Sequence, residues 1–198
     1  MEVYVELSSI AEKLRKCYLC FEGKRNNRKC LLEFDFIPVY VKVMFVVFEP
    51  SDYGCFYDLG SSNRLREKLL DLLFEAGLIG GRSVELFTRR KLYFTYVVKC
   101  RGGSAEYCIR FLKEEIRVLE PDVICTLGES ALKVFLKRSE AGLRDYVGSF
   151  VPEGDLRLDT CLGRPVFACY FPLGGSVADS VKIEHLRKLK SYVNRLAE

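Results

Sequence analysis

The sequence predicts an α/β protein, with a parallel β-sheet between helices in a three-layer αβα arrangement. Two observations predict this class. Four segments are apolar almost throughout, as expected of strands that are covered on both faces. Segments with a helical spacing of apolar residues lie between successive strands, so each strand is joined to the next by a crossover. The alternation of these two patterns indicates four parallel strands.

The four predicted strands are short and rich in Val, Ile, Phe and Tyr. They cover residues 41–48, 92–99, 123–127 and 165–171. Pro50 ends the first of them, because proline has no backbone N–H for a neighbouring strand. Ligands of parallel α/β sheets bind beyond the carboxyl ends of the strands. We therefore expect the site in the segments that directly follow the four strands.

Several further segments are predicted to be helical. The clearest are residues 63–78, where leucines recur at helical spacing, and residues 104–119, for which Ser104 is the expected N-cap. The other predicted helices are a short one after Ser8 and Ser9, one begun by Ser130, and residues 180–196. No internal repeat, low-complexity tract or linker interrupts the pattern, so we expect a single domain over residues 1–198.

The composition is that of a globular protein. With 198 residues, 49% of them hydrophobic and 29% charged, the chain is long enough to fold around one core without disulfide bonds. The 31 Lys and Arg residues exceed the 27 Asp and Glu residues only slightly, which permits a polyanionic partner without requiring one. The longest apolar stretch, residues 39–48, is too short to span a bilayer. No secretory signal pattern follows Met1, so we expect a cytoplasmic protein. The absence of Gln and Trp is typical of proteins from a hot habitat.

Four of the nine cysteines have the spacing of metal ligands. Cys17 and Cys20 form a C-x-x-C pair, and Cys100 and Cys108 follow the second predicted strand. Four thiolates bind either one [4Fe-4S] cluster or one zinc ion, and the spacing does not separate the two. The alternative is that all four are buried thiols that behave as small hydrophobic residues.

The remaining cysteines have no partner at ligand spacing. They are Cys30, Cys55, Cys125, Cys161 and Cys169. Because thiols stay reduced in the cytosol, we expect these five to be unpaired and to pack as small apolar side chains.

Six segments together resemble the iron-sulfur uracil-DNA glycosylases, the fourth and fifth families of that superfamily. They are the C-x-x-C pair, VMFVVFEP, GSSNRLREKLLDLLFEAGL, FTYVVKCR, EEIRVLEPDVICTLGESALK and FPLGG. The resemblance spans nearly the whole chain and implies a four-stranded parallel sheet between helices. It also implies that Cys17, Cys20, Cys100 and Cys108 hold a structural [4Fe-4S] cluster, with zinc as the alternative. The implied activity is excision of uracil or another damaged base from DNA.

The chain departs from the family at several site positions. The family's G-E-A-P-G loop reads Phe48, Glu49, Pro50, Ser51 here, and Glu49 is the candidate catalytic carboxylate. Tyr96 replaces the Asn that pairs with the uracil edge, and a phenol does not present the paired donor and acceptor of an amide. Phe171 stands where the family has the His that supports the leaving base.

The resemblance also assigns a base pocket, with an aromatic ring for stacking on the flipped base. Which ring stacks is left open among Tyr53, Phe56 and Tyr57. The residues predicted for the pocket are Phe48, Pro50, Ser51, Tyr53, Phe56, Tyr57, Tyr96 and Phe171.

Contacts with DNA phosphates are expected near the carboxyl ends of the strands. The predicted DNA-binding residues are Lys99, Arg101, Ser130, Pro172, Gly174 and Gly175. Other basic runs lie at residues 24–29 and 89–91, and such runs are ordinarily solvated surface. The expected partner is lesion-containing or single-stranded DNA, no membrane partner is expected, and the sequence leaves protein partners open.

Three functions are consistent with these features. The first is a DNA glycosylase that uses Glu49. The second is a non-catalytic iron-sulfur relative that binds DNA as a lesion sensor or an assembly subunit, which the missing Asn and His favour. The third is a zinc-stapled binding module unrelated to DNA.

Overall fold

The computed structural model describes residues 2–19, 29–138 and 140–196. Its centre is a sheet of four parallel strands, as predicted, and the strands lie in the order β2-β1-β3-β4. The strands are β1 (Val43–Val47), β2 (Leu92–Tyr96), β3 (Val123–Leu127) and β4 (Val166–Cys169). Every strand residue is buried, which explains why the strands are apolar on both faces.

Helices surround the sheet. They are α1 (Glu2–Lys16), α2 (Arg64–Glu75), α3 (Val84–Arg89), α4 (Ala105–Leu119), α5 (Glu129–Lys133), α6 (Leu143–Tyr146), α7 (Leu158–Cys161) and α8 (Asp179–Arg195). Helix α1 packs against α4, and α2 packs against α8. The crossover from β1 to β2 moves toward one edge of the sheet. The crossover from β2 to β3 passes over β1 and moves toward the other edge. Right-handed crossovers in opposite directions place α2 and α4 on opposite faces of the sheet.

The predicted N-cap Ser104 is confirmed, Asn63 is a cap that was not predicted, and the helix start predicted at Ser8 and Ser9 is wrong. The Asn63 side chain accepts a hydrogen bond from the backbone N–H of Arg66, and the Ser104 hydroxyl accepts one from Glu106. Ser8 instead lies inside α1, where its hydroxyl donates to the carbonyl of Tyr4 at 2.7 Å. The helix begins six residues before Ser8 because its apolar face continues to Leu7, which is fully buried.

The strands are shorter at their carboxyl ends than the apolar runs suggest. The second predicted strand continues to Lys99, whereas β2 ends at Tyr96. Residues 97 and 98 still donate backbone hydrogen bonds, to the carbonyl of Val47 at the end of β1 and to that of Phe48 after it. Helix α3, for which Ser83 is the N-cap, was not predicted. Within the described residues, no helix is long and apolar enough to cross a membrane.

Candidate functional site

A crevice opens at the carboxyl ends of β1, β3 and β4. The chain leaves β1 toward β2 on one side and reaches β3 and β4 on the other, so the crevice lies at the topological switch point of the sheet. Its volume is about 280 Å³, and its lining includes Phe48, Glu49, residues 127–131 and Phe171. The fold therefore brings four predicted site residues together, because Ser130 belongs to the same lining.

Both carboxylate oxygens of Glu49 are engaged at the rim of this crevice. Arg101 contacts one oxygen through Nη1 at 2.5 Å, and the backbone N–H of Gly102 donates to the other at 3.0 Å. Arg101 also donates from Nε to Asp52 at 2.9 Å. This hydrogen bond, together with the charge of Arg101, lowers the pKa of the Asp52 carboxyl. Arg101 thus lies beside the rim of the crevice, where it is paired with two carboxylates, and its contact with DNA stays a prediction.

The space expected to receive a base is filled by aromatic side chains. The Tyr96 hydroxyl accepts a hydrogen bond from the backbone N–H of Phe56 at 2.8 Å, and Tyr57 accepts one from Phe94 at the same distance. The Phe56 ring stacks on Phe94, with 4.1 Å between the centroids. Burial raises the pKa of the Tyr96 and Tyr57 hydroxyls. The cavity that remains among these rings and Lys99 is about 20 Å³, the size of one water molecule and far smaller than a pyrimidine.

Two residues that the sequence analysis did not single out hold the loop that carries these rings. Asn63 donates from its amide to the carbonyl of Gly54 at 2.8 Å. Arg66, only 8% exposed, donates to the carbonyls of Phe56 at 3.2 Å and Asp58 at 2.6 Å. The sequence offered one local sign of this role, the position of Asn63 at the start of a predicted helix. It offered none for Arg66, because the carbonyls that Arg66 contacts are brought to it only when the loop folds back.

The other predicted pocket residues on this loop lie outside the aromatic cluster. Pro50 is buried, and Ser51 forms a short antiparallel bridge with Gly54. Tyr53 lies at the tip of the loop with 62% of its surface exposed. Its ring faces solvent and contributes no wall to a base pocket.

Lys99 does not contact solvent, contrary to the expectation that it binds phosphate. Only 2% of its side chain is exposed, and its Nζ lies 2.5 Å from Glu115 Oε1 and 2.5 Å from the Thr95 hydroxyl. Thr95 in turn donates to the other Glu115 oxygen at 2.6 Å. Burying an unpaired charge is costly, and this network compensates it. Lys99 therefore forms a buried ion pair inside the protein and is not placed to contact a phosphate.

The FPLGG segment follows β4 and is held by a buried ammonium. Lys182, only 5% exposed, donates to the carbonyls of Pro172 and Gly174 at 2.8 Å each. Gly175 in the same segment is exposed. Phe171 packs on Gly128, where a Cβ atom would lie 3.2 Å from that of Phe171 and where φ is +92°. The segment is thus fixed against the crevice, and Lys182 was missed because nothing in its helix indicates its partners.

A second cavity continues from the crevice past Phe48 and Ser130. Its volume is about 480 Å³, and its lining carries three cations, Lys113, Lys133 and Arg157. Lys113 pairs with an aspartate and Lys133 with a glutamate. Within the described residues Arg157 forms no ion pair, so its guanidinium can accept an outside anion.

Three of the four predicted cluster ligands are described, and Cys20 lies outside the described residues. Lys29 links Cys17 and Cys100, because it pairs with Cys100 in a β-bridge while its Nζ donates to the carbonyl of Cys17 at 2.5 Å. Cys108 lies in the first turn of α4, which packs against α1. Cys17, Cys100 and Cys108 therefore lie on one side of the molecule.

The described residues contain no group of three or more His, Cys, Asp or Glu side chains that could hold a metal ion. Cys17, Cys100 and Cys108 alone do not form a closed ligand set. A cluster or zinc site at these positions stays a prediction that depends on Cys20, and no chemistry at the crevice is derived from it.

A disulfide bond corrects the expectation for two other cysteines. Cys30 and Cys55 are bonded, with 5.6 Å between their Cα atoms and 25 residues between them in the chain. Cys30 is placed there because its N–H donates to the carbonyl of Lys99 at 2.8 Å, beside the end of β2. The bond ties this segment to the loop directly before Phe56. Cys125, Cys161 and Cys169 are buried, as expected.

The parallel α/β fold with a crevice at the switch point defines a class of α/β proteins that bind a ligand beyond the carboxyl ends of their strands. Within this class, the family model of the uracil DNA glycosylase superfamily matches residues 34–192. The chain therefore belongs to the uracil DNA glycosylase superfamily. A search of curated proteins finds no match.

Proposed function

We propose that this protein binds DNA at the crevice and does not excise uracil. The observation that carries the proposal is the hydrogen bond from Phe56 to Tyr96, because it closes the space beside β2 with aromatic rings. A flipped uracil must stack on an aromatic face and pair its edge with polar groups. The faces of Phe56 and Phe94 are already stacked on each other.

The chemistry expected of an excising enzyme is also incomplete. Excision requires hydrogen-bond donors at the leaving base, where negative charge develops. Phe171 lines the crevice with a ring that has no donor. The Tyr96 hydroxyl is buried and accepts the backbone N–H of Phe56, so it lies inside the loop and not at an open base edge.

The crevice still offers contacts to a DNA strand. Ser130 is exposed in the first turn of α5, and Arg157 extends the binding surface into the adjoining cavity. Phosphate contacts of this kind position a strand without reading its sequence. Tyr53, exposed at the tip of its loop, supplies an aromatic face on which an unpaired base can stack. We therefore propose a lesion sensor or assembly subunit that recognises open or single-stranded DNA.

A second candidate is excision of a damaged base that enters the crevice itself. The observation that favours it is the position of Glu49 in the lining of a cavity of about 280 Å³. A carboxylate there would face the positive charge that develops on the sugar. This candidate requires Glu49 to exchange its contact with Arg101 for one with the substrate.

One set of assays separates the two candidates. The purified protein is incubated with single- and double-stranded oligonucleotides that carry uracil, hypoxanthine or xanthine, and alkali-induced strand scission is measured alongside fluorescence anisotropy. We expect binding without scission on every lesion. Scission that disappears in Glu49→Ala would instead establish the second candidate.

Variants test where the DNA lies. Arg157→Ala is expected to weaken DNA binding, whereas Lys188→Ala, an exposed lysine on α8 outside both cavities, should not change it. An equal effect of both substitutions, or no DNA binding at all, would overturn the proposed crevice.

A further inference from the structure

A strongly basic cavity lies at the opposite end of the sheet from the crevice. Its volume is about 340 Å³, and it is formed where β1 and β2 begin. Five cationic residues line it, namely Lys42, Arg89, Arg90, Lys91 and Lys190. No acidic residue belongs to the lining. Three separate segments of the chain contribute these charges, so no single basic run explains the cavity.

The backbone brings these charges together. The backbone N–H of Lys42 donates to the carbonyl of Lys91 at 2.8 Å. This bond places the residue before β1 next to the residue before β2. Lys91 has a φ of 63°, in the left-handed region that a residue with a long side chain adopts infrequently. This turn carries the chain from α3 into β2 and keeps Arg89 and Arg90 beside Lys91.

Gly77 leaves room for the ammonium group of Lys190, the fifth cation of the cavity. A Cβ atom at Gly77 would lie 2.8 Å from the Nζ of Lys190, so any larger residue there would displace the ammonium. The φ of Gly77 is +72°, which also favours glycine. Lys190 comes from α8, on the far side of the cavity from α3.

None of the five cations forms an ion pair within the described residues, although the charge of Arg89 acts on Glu85 along α3. Most cations that line the other cavities are paired. Tyr40, which also lines this cavity, donates a hydrogen bond to Asp122, an acid outside the lining. Like charges at this density repel one another unless an anion lies between them.

We propose that this cavity binds a compact polyphosphate group, such as the triphosphate of a nucleotide or inorganic tripolyphosphate. Its volume falls within the range of about 300–1,000 Å³ that small-ligand sites occupy. Arg and Lys side chains are the preferred partners of phosphate oxygens, and five of them match the several negative charges of a polyphosphate. The cavity opens to solvent, and its volume of about 340 Å³ suits a compact group rather than a duplex.

This site is independent of the DNA-binding crevice. The two lie at opposite ends of strands of about five residues, which span about 16 Å. The charges of one site are therefore beyond a Debye length from the other at physiological salt, about 8 Å. Polyphosphate binding is accordingly expected to persist in Glu49→Ala and Arg157→Ala.

Isothermal titration calorimetry tests the proposal with sodium tripolyphosphate, ATP and adenosine as probes. We expect tripolyphosphate and ATP to bind in a salt-dependent manner and adenosine not to bind. Tighter binding of ATP than of tripolyphosphate identifies a nucleotide site, and equal binding identifies a site for the phosphates alone.

Charge-reversal variants provide the specific control. Arg90→Glu and Lys190→Glu, on different segments, should each weaken binding by about tenfold or more, the effect of losing about 1.4 kcal/mol. Lys188→Glu is the matched control on α8, because its side chain is exposed and lies outside the cavity lining. All variants are first shown to unfold at temperatures close to that of the unmodified protein.

Two kinds of result would overturn the proposal. The first is absence of saturable tripolyphosphate binding at millimolar concentration, or a loss in Lys188→Glu equal to that in Arg90→Glu. The second is binding of a single-stranded oligonucleotide that Arg90→Glu and Lys190→Glu abolish while tripolyphosphate neither binds nor competes. The cavity would then be part of a strand-binding surface.

Discussion

The backbone N–H of Phe56 donates to the hydroxyl of Tyr96 across 2.8 Å, and both residues are buried. Tyr96 at the end of β2 therefore holds the loop that follows β1, and its ring packs beside the stacked rings of Phe56 and Phe94. The contribution of its hydroxyl to stability is open to measurement.

Tyr96→Phe should destabilise the protein by about 1–3 kcal/mol, because the buried Phe56 N–H loses its acceptor while the ring is kept. For a chain of this size, each kcal/mol lowers the melting temperature by about 2–4 °C. Tyr40→Phe is the matched control, since its hydroxyl bonds to Asp122 at a largely exposed position. Equal losses in the two variants would contradict the role given to the Tyr96 hydroxyl.

Asp52→Asn should strengthen DNA binding at the crevice, because it releases Arg101 from one of its two carboxylates. The pKa of the Asp52 carboxyl is lowered by Arg101, so this contact is present above the ordinary carboxyl pKa and is lost only as the pH falls below it. The dependence of log affinity on log salt should steepen by about one unit. Asp71→Asn, which releases Arg82 from a carboxylate on α2, serves as the control in anisotropy titrations. Stronger DNA binding in both variants would show that the change in net charge alone, and not the release of Arg101, raises the affinity.

Lys99→Met should cost about 3–5 kcal/mol, because Glu115 is left buried without a counterion. Adding Glu115→Leu to the same chain should restore most of this loss. Urea unfolding of the single and double variants measures both effects. A neutral single variant, or a double variant less stable than the single one, would show that the buried pair is not coupled in this way.

Reduction of the Cys30–Cys55 bond should lower the free energy of unfolding by about 3 kcal/mol, as expected for a closed loop of this length. Melting curves with and without a phosphine reductant measure the difference. The double variant Cys30→Ala/Cys55→Ala should be as unstable as the reduced protein and insensitive to the reductant. Sensitivity that persists in the double variant would assign the effect to other cysteines.

The predicted cluster is tested by anaerobic purification. A [4Fe-4S] protein should be brown, with iron and inorganic sulfide in equal amounts, and the colour should be lost in Cys17→Ser. Cys161→Ser, at a buried cysteine outside the predicted ligand set, should keep it. A colourless protein with one equivalent of zinc would replace the cluster with the zinc alternative, and a metal-free protein would exclude both.

Local patterns were sufficient for much of the fold. The predicted strand at residues 123–127 and the predicted helix capped by Ser104 agree closely with β3 and α4. Continuous apolarity marks a strand buried on both faces, and a polar cap marks a helix start, so both signals lie in neighbouring residues. Glu49 was also placed correctly at the crevice, because the carboxyl ends of parallel strands share one edge of the sheet.

The sequence by itself determined the α/β class, the four strands with the main helices between them, and the end of the sheet at which the crevice lies. The tertiary structure decided that Cys30 meets Cys55, that Lys99 is buried with Glu115, and that Tyr96 bonds to the backbone of Phe56. It also decided that residues 89–91 join Lys42 and Lys190 around one cavity. The reason is physical: burial patterns and caps depend on neighbours in the chain, whereas these partners are brought together only when the crossovers pack the sheet.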